Sequence, residues 1–399
     1  MKILYLLPFF VIFLSGCGSK DELSQNIPLL DLEKVNTEKE IYLSELADLG
    51  ELIELESIPA SFVKSISDSY ITDEFIIVCD NQIPKVSVYS RDGRFLRNIG
   101  SIGKGPGEFS GHIHFCFYEP ENLIYIHSFS QSRICVYNIK GQWIKDFNTS
   151  RLCKYPLIDV MEFIGHNLVV ILRRPVFEID DFYQVWFFDK QLNVIDKKKH
   201  IPPSQKAGYD MQEPIDNARF NDGLLYFDFY GDTLFYIDKK LNIKPLLKLK
   251  YNRMPNDLAQ KKGVFEKNRD YSKIRGFSSI PPYVTFALVQ NTNDTKTIYY
   301  NLQTNESTLV TRDPCKTYLN SGGIINDITG ISGFYGGEYY SSGFKARIVS
   351  RWIISGYVDE ECIEEKSKKY PEIMNRYKQV FSDDKLEGNP VVELIYMKQ

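Results

Sequence analysis

The sequence has few of the residues from which metal and nucleophile sites are usually built. Its 399 residues include only five histidines and seven cysteines, and no CxxC pair occurs. The GxSxG, HExxH and GxxxxGK[ST] motifs are absent, so serine-hydrolase, zinc-protease and phosphate-loop assignments have no support. A net charge of −4, without a basic stripe interleaved with aromatics, gives no indication of nucleic-acid binding, and no such partner is expected.

Long apolar runs are also scarce. One run, Ile3–Leu14, follows Lys2 and leads into Leu14-Ser15-Gly16-Cys17. It is shorter than the roughly 20 residues that a membrane-spanning helix needs, and its layout is that of a secretory signal covering residues 1–16. The LSGC ending resembles a bacterial lipobox, which implies a lipid on Cys17 as the membrane attachment. An ordinary cleaved signal with a chance cysteine is the alternative.

A charged segment follows the lipobox. Lys20, Asp21 and Glu22 resemble the surface-export tag of lipoproteins in Bacteroides-type bacteria, while a plain solvated linker is the alternative. We expect residues 17–38 to be a lipidated flexible tether and residues 39–399 to form one domain. The implied location is the outer membrane, with the surface-exposed and periplasm-facing orientations both open.

Aromatic residues are abundant where helical patterns are rare. Tyr and Phe number 26 each, which favours strand-rich packing. In an exported protein Cys116 could form a disulfide with Cys135 or Cys153. We expect instead that most of the cysteines are small buried side chains on strands.

The stretch from Val86, VSVYSRDGRFLRNIG, has the pattern of a β-hairpin. Val86, Val88 and Tyr89 precede Asp92-Gly93, a pair suited to a tight turn, and strand formers resume after it. Equivalent turn positions recur at intervals of 48, 51 and 49 residues, at Tyr89, Tyr137, Phe188 and Ile237. Propeller blades repeat at about 40–50 residues, whereas a β-sandwich needs no equal spacing.

The repeat predicts an all-β fold, a six-bladed β-propeller of four-stranded antiparallel blades, with five or seven blades as alternatives. The predicted units are Val63–Ile99, with its first strand near Val63–Ile66, His112–Phe147, Val160–Lys198, Ala218–Leu249, Ile274–Val310 and Ile324–Ile354. A polar insertion covers Tyr251–Asp270, and Ile324–Ile328 is the expected first strand of the sixth unit. Pro371 opens an amphipathic helix before the last strand, Val391–Met397. Because open sheet edges invite aggregation, we expect that strand to pair with Ile41–Glu56 and close the ring.

Four segments carry a family resemblance. They are IYLSELADLGELIELE (Ile41–Glu56), VYSRDGRFLRNIG, GKGPGEF (Gly103–Phe109) and NPVVELIYMK. Together they resemble the six-bladed β-propeller lipoproteins of Bacteroides-type bacteria, a family similar in topology to NHL and TolB-type propellers. The resemblance implies the fold and leaves the ligand open.

The glycine-rich GKGPGEF loop has two interpretations. Gly103, Gly105 and Gly107 could expose N–H groups to an anion, but no helix follows the loop as a phosphate site requires. We expect a structural crossing between blades, with Phe109 filling the gap and Glu108 capping loop N–H groups.

His112 and His114 flank Ile113 at the start of a predicted inner strand, so both side chains point the same way. Near a channel, two imidazoles and an acid could hold a metal or shuttle a proton, but the sequence names no third ligand, so no metal site is assigned. A pair of surface or packing histidines is the alternative to a binding site. We expect His127, His166 and His200 to be solvated or locally hydrogen-bonded.

Acidic candidates are weaker. Calcium-dependent propellers gather oxygen ligands on the axis, and residues of that type occur here at Asp216, Asn217, Asp222, Asn326 and Asp327. Turns use the same residue types for backbone reasons.

The expected function is therefore a ligand-binding or protein-interaction scaffold at the cell envelope, with a glycan, a peptide or an envelope protein as partner. The candidate contacts, beyond the two histidines, are Arg173, Arg174, Arg219 and Tyr230. A metal-dependent propeller enzyme (lactonase, lyase or glycan-acting hydrolase), with Ca²⁺ as the possible cofactor, is the alternative.

The lipid anchor is directly testable. Replacing Cys17 by Ala removes the thiol that would carry the lipid, so we expect the variant to leave the membrane fraction. Fractionation and immunoblotting measure this, and continued anchoring would contradict the assignment. Protease shaving of intact cells decides whether Lys20-Asp21-Glu22 directs the protein to the surface.

Overall fold

The computed structural model describes residues 27–154, 156–173, 182–199, 215–228, 231–253, 271–290, 294–310, 324–329, 339–341, 344–349, 351, 368, 371–380 and 388–398. These residues form six small antiparallel sheets whose innermost strands contact one another around a common axis. The predicted six-bladed β-propeller is confirmed.

The elements follow the chain in order. The first are β1 (Leu29–Asp31), β2 (Glu38–Lys39), the short helix α1 (Leu43–Leu46) and β3 (Ala47–Glu54). Blade 1 contains β4 (Ile66–Ile71), β5 (Phe75–Asp80), β6 (Lys85–Ser90) and β7 (Phe95–Ile99). A crossing with β8 (Ser101–Ile102) and β9 (Glu108–Phe109) leads to blade 2, which contains β10 (Ile113–Tyr118), β11 (Leu123–Ser128), β12 (Arg133–Asn138) and β13 (Trp143–Asn148).

Blade 3 contains β14 (Ile158–Ile164), β15 (Asn167–Leu172), β16 (Val185–Phe188) and β17 (Val194–Lys198). Blade 4 contains β18 (Asp216–Phe220), β19 (Gly223–Phe227), β20 (Thr233–Ile237) and β21 (Ile243–Lys250). Blade 5 contains β22 (Ser272–Ile280), β23 (Tyr283–Gln290), β24 (Asp294–Asn301) and β25 (Ser307–Val310). Blade 6 contains β26 (Tyr339–Ser341), β27 (Phe344–Val349) and β28 (Val391–Met397), with helix α2 (Pro371–Val380) between the last two.

Burial along each blade follows the position of the strand. The second strand of blade 1, Phe75–Asp80, is buried along nearly its whole length because neighbouring blades cover both of its faces. The fourth strand, Phe95–Ile99, alternates between exposed and covered residues since one of its faces meets solvent. Continuous apolar runs therefore mark the middle of a blade, and alternating runs mark its outer strand.

The ring closes by pairing a strand from the N-terminal part of the chain with the last strand. β3 forms the outermost strand of blade 6 and pairs antiparallel with β28, with Ile53 opposite Val392. This pairing of Ile41–Glu56 material with Val391–Met397 confirms the composite blade that the sequence predicted.

Buried polar side chains hold the closure in place. The Asn389 Oδ1 accepts from the backbone N–H of Val63 at 2.9 Å, and its Nδ2 donates to the carbonyls of Glu56 at 2.7 Å and Ser61 at 3.1 Å. Arg351, also buried, donates to the carbonyl of Asn389 at 2.7 Å and to the Glu54 carboxylate at 2.8 Å. The turn before β28 is thus bonded to the segment that leads into blade 1.

The N-terminal segment adds strands to two other blades. β1 pairs in parallel with β21 on the outer edge of blade 4, and β2 pairs in parallel with β25 on the outer edge of blade 5. Leu30, Leu32 and Val35 are buried in the core that blades 4 and 5 share. Residues assigned to a flexible tether are therefore part of the propeller, because they bury apolar side chains and pair an otherwise open edge. Residues 17–26 lie outside the described part.

The glycine-rich crossing between blades 1 and 2 is packed against both. The Glu108 carboxylate accepts from the backbone N–H of Gly105 at 2.7 Å, and Phe109 is buried in the core of blades 1 and 2. Gly107 has a φ of +68°, and a Cβ there would lie 2.6 Å from the Trp143 ring. Gly103 donates its N–H to the carbonyl of Phe109 at 3.1 Å, which folds the loop back on itself.

Two strand predictions are wrong. The first strand of blade 1 begins at Ile66 rather than near Val63, because side chains of Asn389 and Asp80 take the N–H groups of Val63 and Lys64. Residues 324–329 form a turn with an isolated bridge to Tyr42, and Tyr339–Ser341 begins the sheet of blade 6 instead. The Asn326 side chain accepts from the Thr329 N–H at 2.9 Å, which favours that turn.

The cysteines and the C-terminal helix can also be compared with the sequence predictions. Cys79, Cys116, Cys135 and Cys153 are free thiols, so Cys116 pairs with neither candidate partner. The predicted helix begins at Pro371 and ends at Val380. No helix in the described part of the chain is long and apolar enough to cross a membrane. Residues 254–270 of the predicted insertion lie outside the described residues.

Asn389 provides a test of ring closure. We expect Asn389→Ala to lower the free energy of unfolding by about 2–4 kcal/mol, because it leaves buried N–H and carbonyl groups without partners. Urea denaturation measures the loss. Asn138→Ala, in an exposed hairpin turn where the side chain accepts from the N–H groups of Lys140 and Gln142, is the matched control and should cost about 1 kcal/mol or less. Equal losses in the two variants would contradict the role of Asn389.

Candidate functional site at the channel mouth

One end of the ring collects side chains from blades 2 and 3. His112 precedes β10 and His114 lies within it, at the end of the ring where the inner strands begin. Arg173 directly follows β15, and its backbone N–H donates to the carbonyl of Leu157, just before the inner strand β14, at 2.8 Å. Because β10 and β14 are neighbouring inner strands in contact, these three candidates lie at the same mouth of the channel.

A third histidine joins them. His127 on β11 lies directly opposite His114 on β10, so both side chains emerge on the same face of blade 2. The His112 and His114 rings lie 5.2 Å apart between centroids. Phe129 stands among the three imidazoles, at 5.2 Å from His112, 5.2 Å from His114 and 4.5 Å from His127. We call His112, His114, His127 and Phe129 the imidazole cluster.

The three histidines of the imidazole cluster differ in how deeply they are buried. His112 is exposed, His114 is half-buried and His127 is fully buried, so the expectation that His127 is solvated or locally hydrogen-bonded is wrong. Neither ring nitrogen of His127 has a hydrogen-bond partner within the described residues. Such groups are rare in protein interiors, because a buried polar atom without a partner costs about 1–3 kcal/mol.

Burial and positive neighbours keep these rings neutral. Burial lowers the pKa of His114 to about 4, and the nearby His112 and Arg173 add to the shift. Burial lowers the pKa of His127 to about 3, with the other two histidines contributing. The pKa of His112 is lowered by burial and then by Arg173. Among the described residues, the charge effects that lower these three pKa values come from Arg173 and from the neighbouring histidines.

Arg173 is held in place by a buried carboxylate. Its Nε and Nη2 donate to Asp159 Oδ1 at 3.0 and 2.7 Å, and the backbone N–H of Ile215 donates to Oδ2 of the same carboxylate at 3.0 Å. Asp159 lies on β14, and burial raises its pKa although Arg173 opposes the shift. The guanidinium is thus fixed at the mouth by blade 3 and by the start of blade 4.

The remaining candidates lie elsewhere. Arg219 lies farther along its inner strand, donates to the Glu162 carboxylate at 2.6 Å and covers the Tyr70 ring at 5.1 Å. It is not in the imidazole cluster, although the sequence grouped it with Arg173. Arg174, Tyr230 and His200 are outside the described residues. His166 is hydrogen-bonded to the Tyr118 hydroxyl at 2.6 Å, at the opposite end of the inner strands.

The candidate oxygen ligands are dispersed. Asp216 is at the mouth, where burial raises its pKa to about 6 and the charge of Asp159 adds to the shift. Asp222 pairs with Lys239 at 2.8 Å in an exposed turn, and Asp327 accepts from the Ser44 hydroxyl at 2.6 Å near helix α1. The Asn326 amide donates to the buried Glu393 carboxylate at 2.6 Å. Among the described residues, no three His, Cys, Asp or Glu side chains are arranged to hold a metal ion.

Comparison with known proteins identifies a matching family and solved structures of similar fold. A family model described as "Domain of unknown function (DUF4934)" matches residues 26–396. A solved structure of a Bacteroides fragilis protein described as exported has 12% sequence identity and a TM-score of 0.63, over 92% of this chain and 99% of that chain. This similarity reflects the propeller fold.

Two further structures match less of the chain. A member of the DUF4221 family from Bacteroides vulgatus has 13% identity and a TM-score of 0.43, over 66% of this chain and 85% of that chain. Virginiamycin B lyase from Staphylococcus aureus has 10% identity and a TM-score of 0.40, over 68% of this chain and 76% of that chain. No curated protein matches the sequence.

The neutral cluster makes stability depend on pH. The folded pKa of His127 lies below its ordinary value of 6.5, so on acidification the unfolded chain binds a proton that the folded chain does not. We therefore expect the free energy of unfolding to fall by about 2–3 kcal/mol between pH 7 and pH 4.5 on account of His127. Urea denaturation at several pH values measures this. His127→Phe should flatten the dependence and add stability at pH 7, and an unchanged slope would contradict it.

Proposed function

We propose that this chain, which belongs to the family described as "Domain of unknown function (DUF4934)", is an extracytoplasmic binding module that takes its ligand at the channel mouth beside the imidazole cluster. The observation that carries the proposal is the convergence at one mouth of His112 and His114 with Arg173, which lies in a separate part of the sequence. They lie at or beside the ends of rigid strands, where binding residues are often found.

The geometry suits recognition of a ligand. Exposed His112 and half-buried Phe129 present ring faces, while Arg173 offers a guanidinium fixed by Asp159. Aromatic faces with a few convergent polar groups are typical of small-molecule sites. Because the rings sit on β10 and β11 or directly beside these strands, they keep their relative positions with little loss of entropy on binding. A glycan, a peptide or a segment of an envelope protein can meet such a surface.

The location is part of the proposal. The basic start, apolar run and LSGC ending support export and a lipid on Cys17, with Lys20-Asp21-Glu22 as the surface tag. The similar propeller from Bacteroides fragilis, described as exported, is consistent with this location. A lipid on Cys17 would place the anchor shortly before β1, which begins at Leu29 on the outer edge of blade 4.

Histidine variants at the two ends of the ring test the site. Full-length protein in nonionic detergent is screened by ligand-observed NMR against envelope-derived oligosaccharides and peptides. His112→Ala is expected to weaken any bound compound about tenfold or more, since it removes an exposed ring at the mouth. His166→Ala, the matched change at the opposite end, should leave the affinity unchanged. A ligand that binds both variants equally well would place the site elsewhere.

A further inference from the structure

The charges around the imidazole cluster are unbalanced. His112 before β10, His114 on β10, His127 on β11 and Arg173 after β15 all carry, or can acquire, positive charge. The carboxylate of Asp159 on β14 is already engaged by the Arg173 guanidinium and by the N–H of Ile215. Asp216 is also at this mouth, but burial and the charge of Asp159 raise its pKa to about 6, so it is mostly neutral at pH 5. At that pH, within the described residues, the positive or protonatable groups of the mouth outnumber the carboxylates left to balance them.

The blade 1 side does not correct this balance. Asp80, at the end of β5, is buried, and its carboxylate accepts from the backbone N–H groups of Lys64, Gln82 and Ile83 at 2.6, 2.9 and 3.1 Å. Those bonds commit it to the turn after β5. The neighbouring Asn81 is neutral, and its Oδ1 accepts from the N–H of Ile113 at 2.7 Å. Asp80 is thus held in its turn by backbone N–H groups, and Asn81 carries no charge.

We infer that the ligand taken at this mouth carries an oxyanion, a carboxylate or phosphate group, bound between Arg173 and the imidazole rings, and that its binding is accompanied by proton uptake on the cluster. This inference rests on the proposed function and names the ligand class for the same site. The oxyanion pairs with the Arg173 guanidinium, and each ring that becomes protonated gains a charge-assisted hydrogen bond to it.

The protonation equilibria point the same way. A ring whose pKa is lowered by positive neighbours lies in a positive potential, and a positive potential attracts an anion. An anion within about 4–6 Å raises the pKa of an imidazole by roughly 1–3 units. Starting from the pKa of about 4 for His114, such a shift brings protonation into the mildly acidic range. Affinity is then linked to pH, because binding and protonation favour each other.

His127 extends the site inward. Both of its ring nitrogens lack a partner in the described part of the chain, although the side chain is fully buried. It lies opposite His114 and 4.5 Å from the Phe129 ring, so it is the innermost group of the cluster. A proton held there is shielded from water and responds to an anion at the mouth. Sequence reasoning did not include His127 among the site residues.

Sulfate and acetate are suitable probes, because sulfate does not titrate between pH 5 and pH 7.5 and acetate is a simple carboxylate. Full-length protein in nonionic detergent is titrated with each anion by calorimetry at pH 5 and pH 7.5, at constant ionic strength set with chloride. We expect at least one of the two to bind, and to bind about tenfold more tightly at pH 5, as follows if binding raises the pKa of His114 from about 4 to about 6. Repeating the titration in buffers of different ionisation enthalpy counts the protons taken up.

Histidine variants test whether the imidazole cluster causes the pH dependence of anion affinity. His114→Gln keeps a polar side chain but cannot be protonated, so it should abolish most of the pH dependence, and His166→Gln at the opposite end should retain it. NMR signals of the imidazole Hε1 protons report whether the pKa of His114 rises when the anion is present. A pKa that stays constant would overturn the inference, even if an anion binds.

The two proposals can fail separately. If neither anion binds at either pH, or if affinity is the same at both, the oxyanion inference is wrong. A compound from the screen that binds wild-type protein and loses affinity in His112→Ala would then still support the proposed mouth site. Anion binding that persists unchanged in both His112→Ala and His114→Gln contradicts the oxyanion inference as well, since the anion would then sit outside the mouth.

Discussion

The pairing of β3 with β28 is the contact on which the other blades depend. It converts a row of sheets into a ring, and the buried side chains of Asn389 and Arg351 fix its register against the start of blade 1. The Asp92-Gly93 turn of blade 1 is also seated there, since the backbone N–H of Glu56 donates to the Gly93 carbonyl at 2.9 Å. Each blade of a ring packs between two others. A change in the β3–β28 pairing therefore alters the packing between all of the blades. The channel mouth exists only while blades 2 and 3 keep their spacing.

The channel mouth differs from the rest of the core because it contains buried polar side chains. Most buried positions on the middle strands are apolar, yet β11 carries His127 in a position with no partner for its ring in the described residues. Asp159 and Arg173 form an ion pair that is largely withdrawn from water. Such arrangements reduce stability relative to apolar packing, and local conflicts of this kind are expected where a protein has retained polar chemistry for binding.

Sequence reasoning succeeded where local rules decide the outcome. Asp92-Gly93 marks its turn through backbone preference, and the even spacing of hairpins fixed the architecture. It failed where distant partners decide. Residues 324–329 have strand-like composition, but the Asn326 amide and the buried Glu393 carboxylate hold them in a turn. β1 was missed because three residues of strand carry no periodic signal. His127 was missed because it stands alone, although a histidine inside the apolar run LIYIHS of a second strand was a usable signal.

The N-terminal segment gives the propeller an unequal resistance to force. A pull applied at Leu29 first loads β1, whose three residues pair with β21 at the sheet edge. Short edge strands of this kind peel away bond by bond at low load, and β2 follows in the same manner on blade 5. The eight-residue β3 is fixed between its ladder to β28 and the buried polar contacts around it, so it bears load last. Under such a pull, β1 and β2 therefore detach and extend before the ring itself is strained.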